Sequence, residues 1–450
     1  MEIDFGMNKN LLKNIAVNIC RLILSVTFIF SGYVKSVDPI GTQYKLHDYF
    51  VAVGLESLVP DYITISASVL LAAVEFNLGI FLLFAIRRHL VTRLILCFMM
   101  VMTLITIWIA IANPVKDCGC FGDALKLTNM QTLIKNIILL AAAFVVFRFP
   151  TAMVRFIGKT NQWIAINYTI IYSIATSTYC LFYLPIFDFR PYHVGADIKK
   201  GMEIPAGAAQ PTFETTFILK KNGVTKEFSI DNYPDSTWTF VDSKTVQTSE
   251  GYVPAIHDFS MEDIETGDDL TSGILDDKGY TFLLISPHLE NADDTNFGYI
   301  NQIYDYCQTH KYSFYALTAS NKKTIEKWKN LTGAEYPFLF TDETTLKTMI
   351  RSNPGLMLLK DGKILQKWSH NSLPKLNEDS QSLDNLPEYN SSSSSVGKKI
   401  TYTILWFFLP LFLLTFTDRM WAWTKWVRGK SRTSSDSEPL DKLGKKEKEN

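Results

Sequence analysis

The chain has 450 residues, 47% of them apolar and 13% aromatic, with charged residues held to 20% and a net charge of −1. Phosphate binding needs clustered Lys and Arg, so this balance excludes a nucleic-acid protein. Disordered, collagen-like and disulfide-stapled classes are excluded as well, because six cysteines are too few for a stapled fold of this length. Apolar residues gather at the two ends of the chain, and the mean hydropathy of +0.06 averages them with a polar middle.

Apolar runs at 12–34, 62–86, 90–112, 130–149, 163–187 and 399–417 predict six membrane spans. Each is about 19–25 residues long, enough at 1.5 Å per residue to cross a hydrocarbon core of about 30 Å. The first run lacks a small-x-small cleavage site and reads as an anchor. Arg87, Arg88 and Arg93 lie at the junction of runs two and three, and Arg148, Arg155 and Lys159 at that of four and five. Arg419, Lys425, Arg428, Lys430 and Arg432 follow run six. The positive-inside rule then puts both termini in the cytoplasm and residues 113–129 and 188–398 outside, in the periplasm of a cell with a bacterial inner membrane.

Two charges fall near the middle of apolar runs, Arg21 in the first and Glu75 in the second. Charge in hydrocarbon demands a partner or water, so the two are expected to face each other as an intramembrane polar pair. That pair would either fix helix register or form a polar spot for a quinone headgroup or a proton path.

The sequence Asp117-Cys118-Gly119-Cys120-Phe121-Gly122-Asp123 follows the third run. Two cysteines around a glycine can close a small disulfide ring, and glycine eases the backbone strain of closure. Strained disulfides are readily reduced, and disulfides persist on the exoplasmic side. Asp117 and Asp123 are expected to raise the thiol pKa by like-charge repulsion. Zinc is disfavoured, since the loop offers no His or further Cys. A purely structural disulfide that pins the loop remains open beside redox exchange. Cys20, Cys97 and Cys180 lie in apolar runs and read as buried small hydrophobes.

Arg21 followed by FIFSGYVKSVDP, Glu75, and DCGCFGD followed by LKLTNMQTLIKNIILL resemble the MauE/DoxX family of redox-associated membrane proteins, over residues 12–150. The resemblance implies a four-helix membrane domain and a role in disulfide chemistry. Its MauE branch implies assistance in maturing a disulfide-containing partner, and its DoxX relatives suggest a quinone. No cofactor follows from the residues themselves.

In the middle of the chain, 191–270 reads as a β-rich segment, with a hairpin over TTFILKKNGVTKEFSI turning at Asn222-Gly223. Residues 271–372 alternate strand and helix: TFLLIS, a helix over 294–310, YSFYALTA, TIEKWKNLTG closing at Gly333, PFLFT, and a hairpin turning at Asp361-Gly362. This order, with Asn353-Pro354-Gly355-Leu356, resembles the periplasmic thioredoxin-like domains, which implies that Pro354 is the cis-proline beside the active site. The usual Cys-x-x-Cys position carries Ile285-Ser286-Pro287-His288-Leu289-Glu290 instead, and Cys307 belongs on a buried helix stripe. His288 and His257 could act as catalysts or ligands, although isolated surface histidines are commoner. Residues 373–398 read as a polar tether, and 418–450 as a cytoplasmic tail.

The expected architecture is a multi-domain membrane protein: an all-α bundle with a four-helix core (1–150), a fifth (151–190) and a sixth (399–417) span, and an α/β thioredoxin-like ectodomain. The favoured function is thiol–disulfide exchange at Cys118 and Cys120, as an oxidoreductase component whose ectodomain recruits thiol or disulfide clients or another thioredoxin-like protein. The competing classes are a non-catalytic assembly or maturation factor, and a small-solute transporter, whose broken helices and paired repeats are not evident.

Overall fold

The computed structural model describes residues 3–115, 118–209, 212–221, 224–229, 239–249, 251–390 and 396–435. The chain divides into two compact units, residues 1–189 with 393–450, and residues 190–392.

The first unit is helical: α1 (Ile3–Val37), α2 (Pro39–Ala52), α3 (Asp61–Leu83), α4 (Arg88–Ala112), α5 (Asn129–Arg148), α6 (Gln162–Phe182) and a last helix, Val396–Ser435. Among the described residues, five stretches are long and apolar enough to cross a bilayer: Lys9–Val37, Asp61–Leu83, Arg88–Ala112, Asn129–Arg148 and Gly397–Lys425. The chain is a multi-pass membrane protein. The run expected at 163–187 forms α6 over Gln162–Phe182, 21 residues free of charge, but its Ser, Thr and Tyr residues leave it less apolar than the five. Helix α2 was not foreseen. Pro39 sits in its first turn and the Asp38 carboxylate accepts from the backbone N–H of Gly41, a standard start for a helix too polar to span.

Close packing of α1 on α3 determines where the charged side chains meet. A Cβ on Gly32 would lie 2.3 Å from the Phe76 nitrogen, and one on Gly79 would lie 2.7 Å from the Ile29 nitrogen. Only glycine permits that backbone approach, the small-residue device of membrane helix pairs. Val17, Leu24, Phe28, Leu78 and Leu82 fill the seam, with Ile95 and Met99 of α4 and Leu139 and Ala143 of α5 completing the core. Helix α5 opens with a reciprocal cap, in which Thr128 Oγ1 accepts from Gln131 N and Thr128 N donates to the Gln131 side chain. On the last helix, Asp418 accepts from Gly158 N and Asn161 Nδ2, both at 2.7 Å.

The second unit holds two sheets. Strands β1 (Thr212–Lys221), β2 (Val224–Ser229) and β3 (Thr239–Ser249) form an antiparallel sheet in the order β2-β1-β3. The pairing of Lys221 with Val224 matches the expected hairpin; its Asn222-Gly223 turn lies outside the described residues.

The larger sheet contains β4 (Glu262–Asp263), β5 (Tyr280–Ser286), β6 (Ser313–Thr318), β7 (Phe338–Phe340), β8 (Gly355–Lys360) and β9 (Lys363–Ser369), in the order β4-β7-β6-β5-β8-β9. Strands β5, β6 and β7 are parallel, and β8 and β9 return antiparallel. Helices α7 (Ile198–Met202), α8 (Thr271–Leu275), α9 (Phe297–His310), α10 (Lys322–Thr332) and α11 (Glu343–Met349) connect and flank the strands. A parallel core with an antiparallel hairpin on its far side is the thioredoxin-like arrangement. Strand β5 is buried at every position, as a continuous apolar run between neighbours requires. Asp361 and Gly362 both take positive φ (50° and 72°), the mirror-image turn favoured in tight hairpins.

Two sequence boundaries move. Gly195 N donates to Ile364 O and Ile364 N to Ala196 O, so the start of the 191–270 segment is bridged to β9, the edge strand of the thioredoxin-like sheet. Residues 373–390, expected as part of a tether, instead wrap the same domain. Leu376 and Leu383 are buried in its core and Leu373, Leu386 and Tyr389 pack on it. Tyr280, Tyr306 and Tyr312 hydroxyls bind Asp384, Gln381 and Ser382, each at 2.8 Å. The polar composition concealed leucines spaced to reach one apolar surface. The serine run at 391–395 lies outside the described residues.

Candidate functional site

The connection between α4 and α5 carries the cysteine loop. Cys118 Sγ and Cys120 Sγ lie 2.8 Å apart. Gly119 and Gly122 adopt φ of +63° and +53°, the left-handed region in which glycine avoids the Cβ clash. Phe121 is buried, packs on Phe30 with ring centres 5.5 Å apart, and has Lys135 Nζ 4.3 Å above its ring. That anchors the loop to α1 and α5. Asp123 lies in the short turn Gly122–Ala124; Asp117 is outside the described residues.

Both cysteine carbonyls are held from below. The Tyr49 hydroxyl on α2 donates to Cys118 O at 2.7 Å. Lys35 Nζ, on the last turn of α1, donates to Cys120 O (2.8 Å), Ser31 Oγ (2.7 Å) and Glu75 Oε2 (2.7 Å). An ammonium has three N–H donors, so Lys35 is saturated. Ser31 Oγ lies 2.6 Å from Glu75 Oε2 and 2.8 Å from Cys120 O; having one proton, it is best donated to the carboxylate. Lys35, Glu75 and Ser31 are all buried.

This corrects the expected Arg21–Glu75 pair. Glu75 pairs with Lys35, and Arg21 serves the other end of α3: Nε donates to Leu82 O at 3.0 Å, Nη2 to Leu83 O, and Nη1 to Val154 O at 2.9 Å and Asn18 Oδ1 at 3.1 Å. Carbonyls left over at a helix C-terminus suit a guanidinium. Arg21 and Glu75 lie deepest in their apolar runs, whereas Lys35 stands at the end of its run in FIFSGYVKSVDP. Its signal was the i,i+4 spacing of Ser31 and Lys35, which puts both on one helix face.

The hydrogen bond from Cys118 draws the Cys120 thiol down, opposed by burial and Glu75 and reinforced by Lys135 and Lys35. The same hydrogen bond, then burial, pushes the Cys118 thiol well up. Cys118 is buried and Cys120 partly exposed.

Beside Cys120 is a cavity of about 30 Å³, lined by Ser31, Lys35, Glu75, Lys135 and Asn136 among others. It has room for a water, while small-molecule pockets run to about 300–1,000 Å³. A separate cleft of about 360 Å³, walled by Leu22, Val26, Phe30, Tyr33 and Phe407 among others, includes neither Glu75 nor Arg21. Among the described residues no group of three His, Cys, Asp or Glu side chains is placed to hold a metal.

In the thioredoxin-like domain, the Asn353–Pro354 peptide is cis. Ser286 Oγ donates to Asn353 Oδ1 at 2.6 Å, and Asn353 Nδ2 donates to His288 O at 2.9 Å. His288 Nε2 faces Glu343 Oε1 at 2.9 Å and its Nδ1 faces Glu290 Oε1 at 3.6 Å. A carboxylate-flanked imidazole thus stands where a dithiol would. Cys307, the one cysteine of this unit, is fully buried in α9 and its thiol is pushed up by desolvation. His257 is exposed.

Residues 13–149 match the family "Methylamine utilisation protein MauE", and residues 213–250 match a domain of unknown function (DUF8463). No curated protein matches the chain. Among solved structures, a candidate protein disulfide isomerase from Bacteroides thetaiotaomicron is similar at 13% identity, over 26% of this chain and 77% of its own, with a TM-score of 0.22. StoA from Bacillus subtilis is similar at 15% identity, over 31% of this chain and all of its own, again with a TM-score of 0.22.

Proposed function

We propose that this protein is a membrane-bound component of thiol–disulfide exchange, in which Cys118 and Cys120 cycle between dithiol and disulfide and the thioredoxin-like domain recruits the client. The observation that carries this reading is the contact of the two sulfurs at 2.8 Å on a loop outside the membrane-spanning helices. The match to the MauE family over the helices that cradle the loop supports it. So does the unequal environment of the two thiols, since exchange needs one good nucleophile. The ectodomain offers no dithiol of its own, which leaves it a binding role.

Arginines at the α3–α4 and α5–α6 connections and after the last span support a cytoplasmic side for those segments by the positive-inside rule. With α6 as a sixth crossing, both termini are cytoplasmic, and the cysteine loop and residues 190–392 face the periplasm across a bacterial inner membrane. Disulfides persist there.

A maturation factor with a structural CGC disulfide is the second reading. It is favoured by one observation: Tyr49 and Lys35 hold both cysteine carbonyls, as a stiffened loop would have them. Thiol trapping in intact cells, with Cys118→Ser and Cys120→Ser variants, decides between the two. Cycling predicts a mixed population of reduced and oxidised pairs, and loss of function in both variants. A pair that stays fully oxidised under thiol challenge, with function retained in both variants, overturns exchange.

A further inference from the structure

We propose that the two sulfurs have different jobs: Cys120 carries the mixed disulfide with the client, Cys118 resolves it, and Lys35, fixed by Glu75 and Ser31, is the positioning residue that makes Cys120 the exchanging one. This rests on the exchange function proposed above.

Surroundings separate the pair. Cys120, not Cys118, lines the water-sized cavity with Lys35, Glu75, Lys135 and Asn136. Among the described residues, the charged and titratable groups facing the pair are Lys35 from α1, Tyr49 from α2, Glu75 from α3 and Lys135 from α5, with Lys45 of α2 against Gly119. Helix α4 contributes only Phe98, Met99 and Met102 to the cavity. Two cations and one carboxylate thus surround Cys120, and one of those cations also grips its carbonyl. The thiol environments agree, with Cys120 drawn down and Cys118 pushed up. A thiolate, not a thiol, is the nucleophile.

In the direction that reduces a client, Cys120 thiolate attacks one sulfur of the client disulfide. The client S–S bond breaks, and its electron pair leaves on the second client sulfur, which takes a proton from water. Cys118 then gives up its proton to water and attacks Cys120 Sγ. The Cys118–Cys120 bond forms, and the first client sulfur leaves with the electron pair and is protonated. Two electrons pass from the pair to the client, whose disulfide is the oxidant. Client oxidation is the same path reversed.

The test uses the full chain in native membranes, oxidised glutathione as the disulfide probe, and mass spectrometry to resolve each cysteine. At neutral pH, Cys120 in Cys118→Ser should form the glutathione adduct at least about tenfold faster than Cys118 in Cys120→Ser, the ratio that a tenfold difference in thiolate fraction gives. The pH profile of Cys120 alkylation by iodoacetamide should move to higher pH in the charge-free pair Lys35→Gln/Glu75→Gln and return with Lys35→Arg. The paired variant leaves no unmatched buried charge, and a merely structural lysine would not move the profile. Equal adduct rates at the two sulfurs, or a Cys120 profile unmoved by the paired variant, overturns the inference. If the pair still cycles in cells, the proposed function survives that result; if neither sulfur reacts and the pair never changes state, both fall.

Discussion

Lys35 Nζ and Glu75 Oε2 are 2.7 Å apart, and both side chains are at least 95% buried, at the point where the cysteine loop rests on the helix bundle. Removing one partner leaves a buried charge unmatched, which costs about 3–5 kcal/mol. Lys35→Met and Glu75→Gln should each lower the thermal midpoint of the detergent-solubilised protein markedly. Lys35→Met/Glu75→Met should recover most of the loss. A double variant as unstable as the sum of the singles would show that the two residues do not act as a pair.

Gly32 touches the Phe76 backbone so closely that a methyl group cannot enter without parting α1 from α3. Gly32→Ala is expected to destabilise the bundle by about 1–3 kcal/mol, as overpacking does. It should also loosen the grip of Lys35 on Cys120, read as faster proteolysis of the loop. An unchanged thermal midpoint would count against the close packing.

Leu383 is fully buried in the thioredoxin-like core, on a segment whose composition is that of a linker. Leu383→Ala should cost about 2–5 kcal/mol. Limited proteolysis should then cut within 373–390 before it cuts the sheet. A cleavage pattern matching the parent protein would refute the docking of this segment.

Burial raises the Cys307 thiol pKa in the folded state. The unfolded chain loses that proton near the ordinary thiol value while the folded chain keeps it, so folding is favoured below that pH and weakened above it. Stability of the thioredoxin-like domain should therefore fall as pH rises past about 8.5, by up to about 1.4 kcal/mol per pH unit from this group. Cys307→Ala should flatten that slope in denaturant titrations followed by tryptophan fluorescence.

Much of this protein was legible in local pattern. Apolar runs long enough for a bilayer marked the helices, Asp361-Gly362 marked the β8–β9 turn, Gly333 ended α10, and the order of strands and helices over 275–370 implied the thioredoxin-like sheet. Each is a signal carried by neighbours in sequence, through periodicity, backbone freedom or length.

Tertiary structure alone decided the pairings. Both Arg21 and Lys35 lie on α1, and the glycine-mediated approach of α1 to α3 brought Glu75 to Lys35 while Arg21 met the carbonyls of Leu82 and Leu83. Residues 373–390 became part of a domain because Leu376 and Leu383 found an apolar surface to cover. The cysteines were visible from the start, but Lys35, Lys135 and Tyr49 come from three separate helices. Charge and hydrogen bonding act through space over a few ångströms, and no spacing along the chain encodes which distant side chains will share that space.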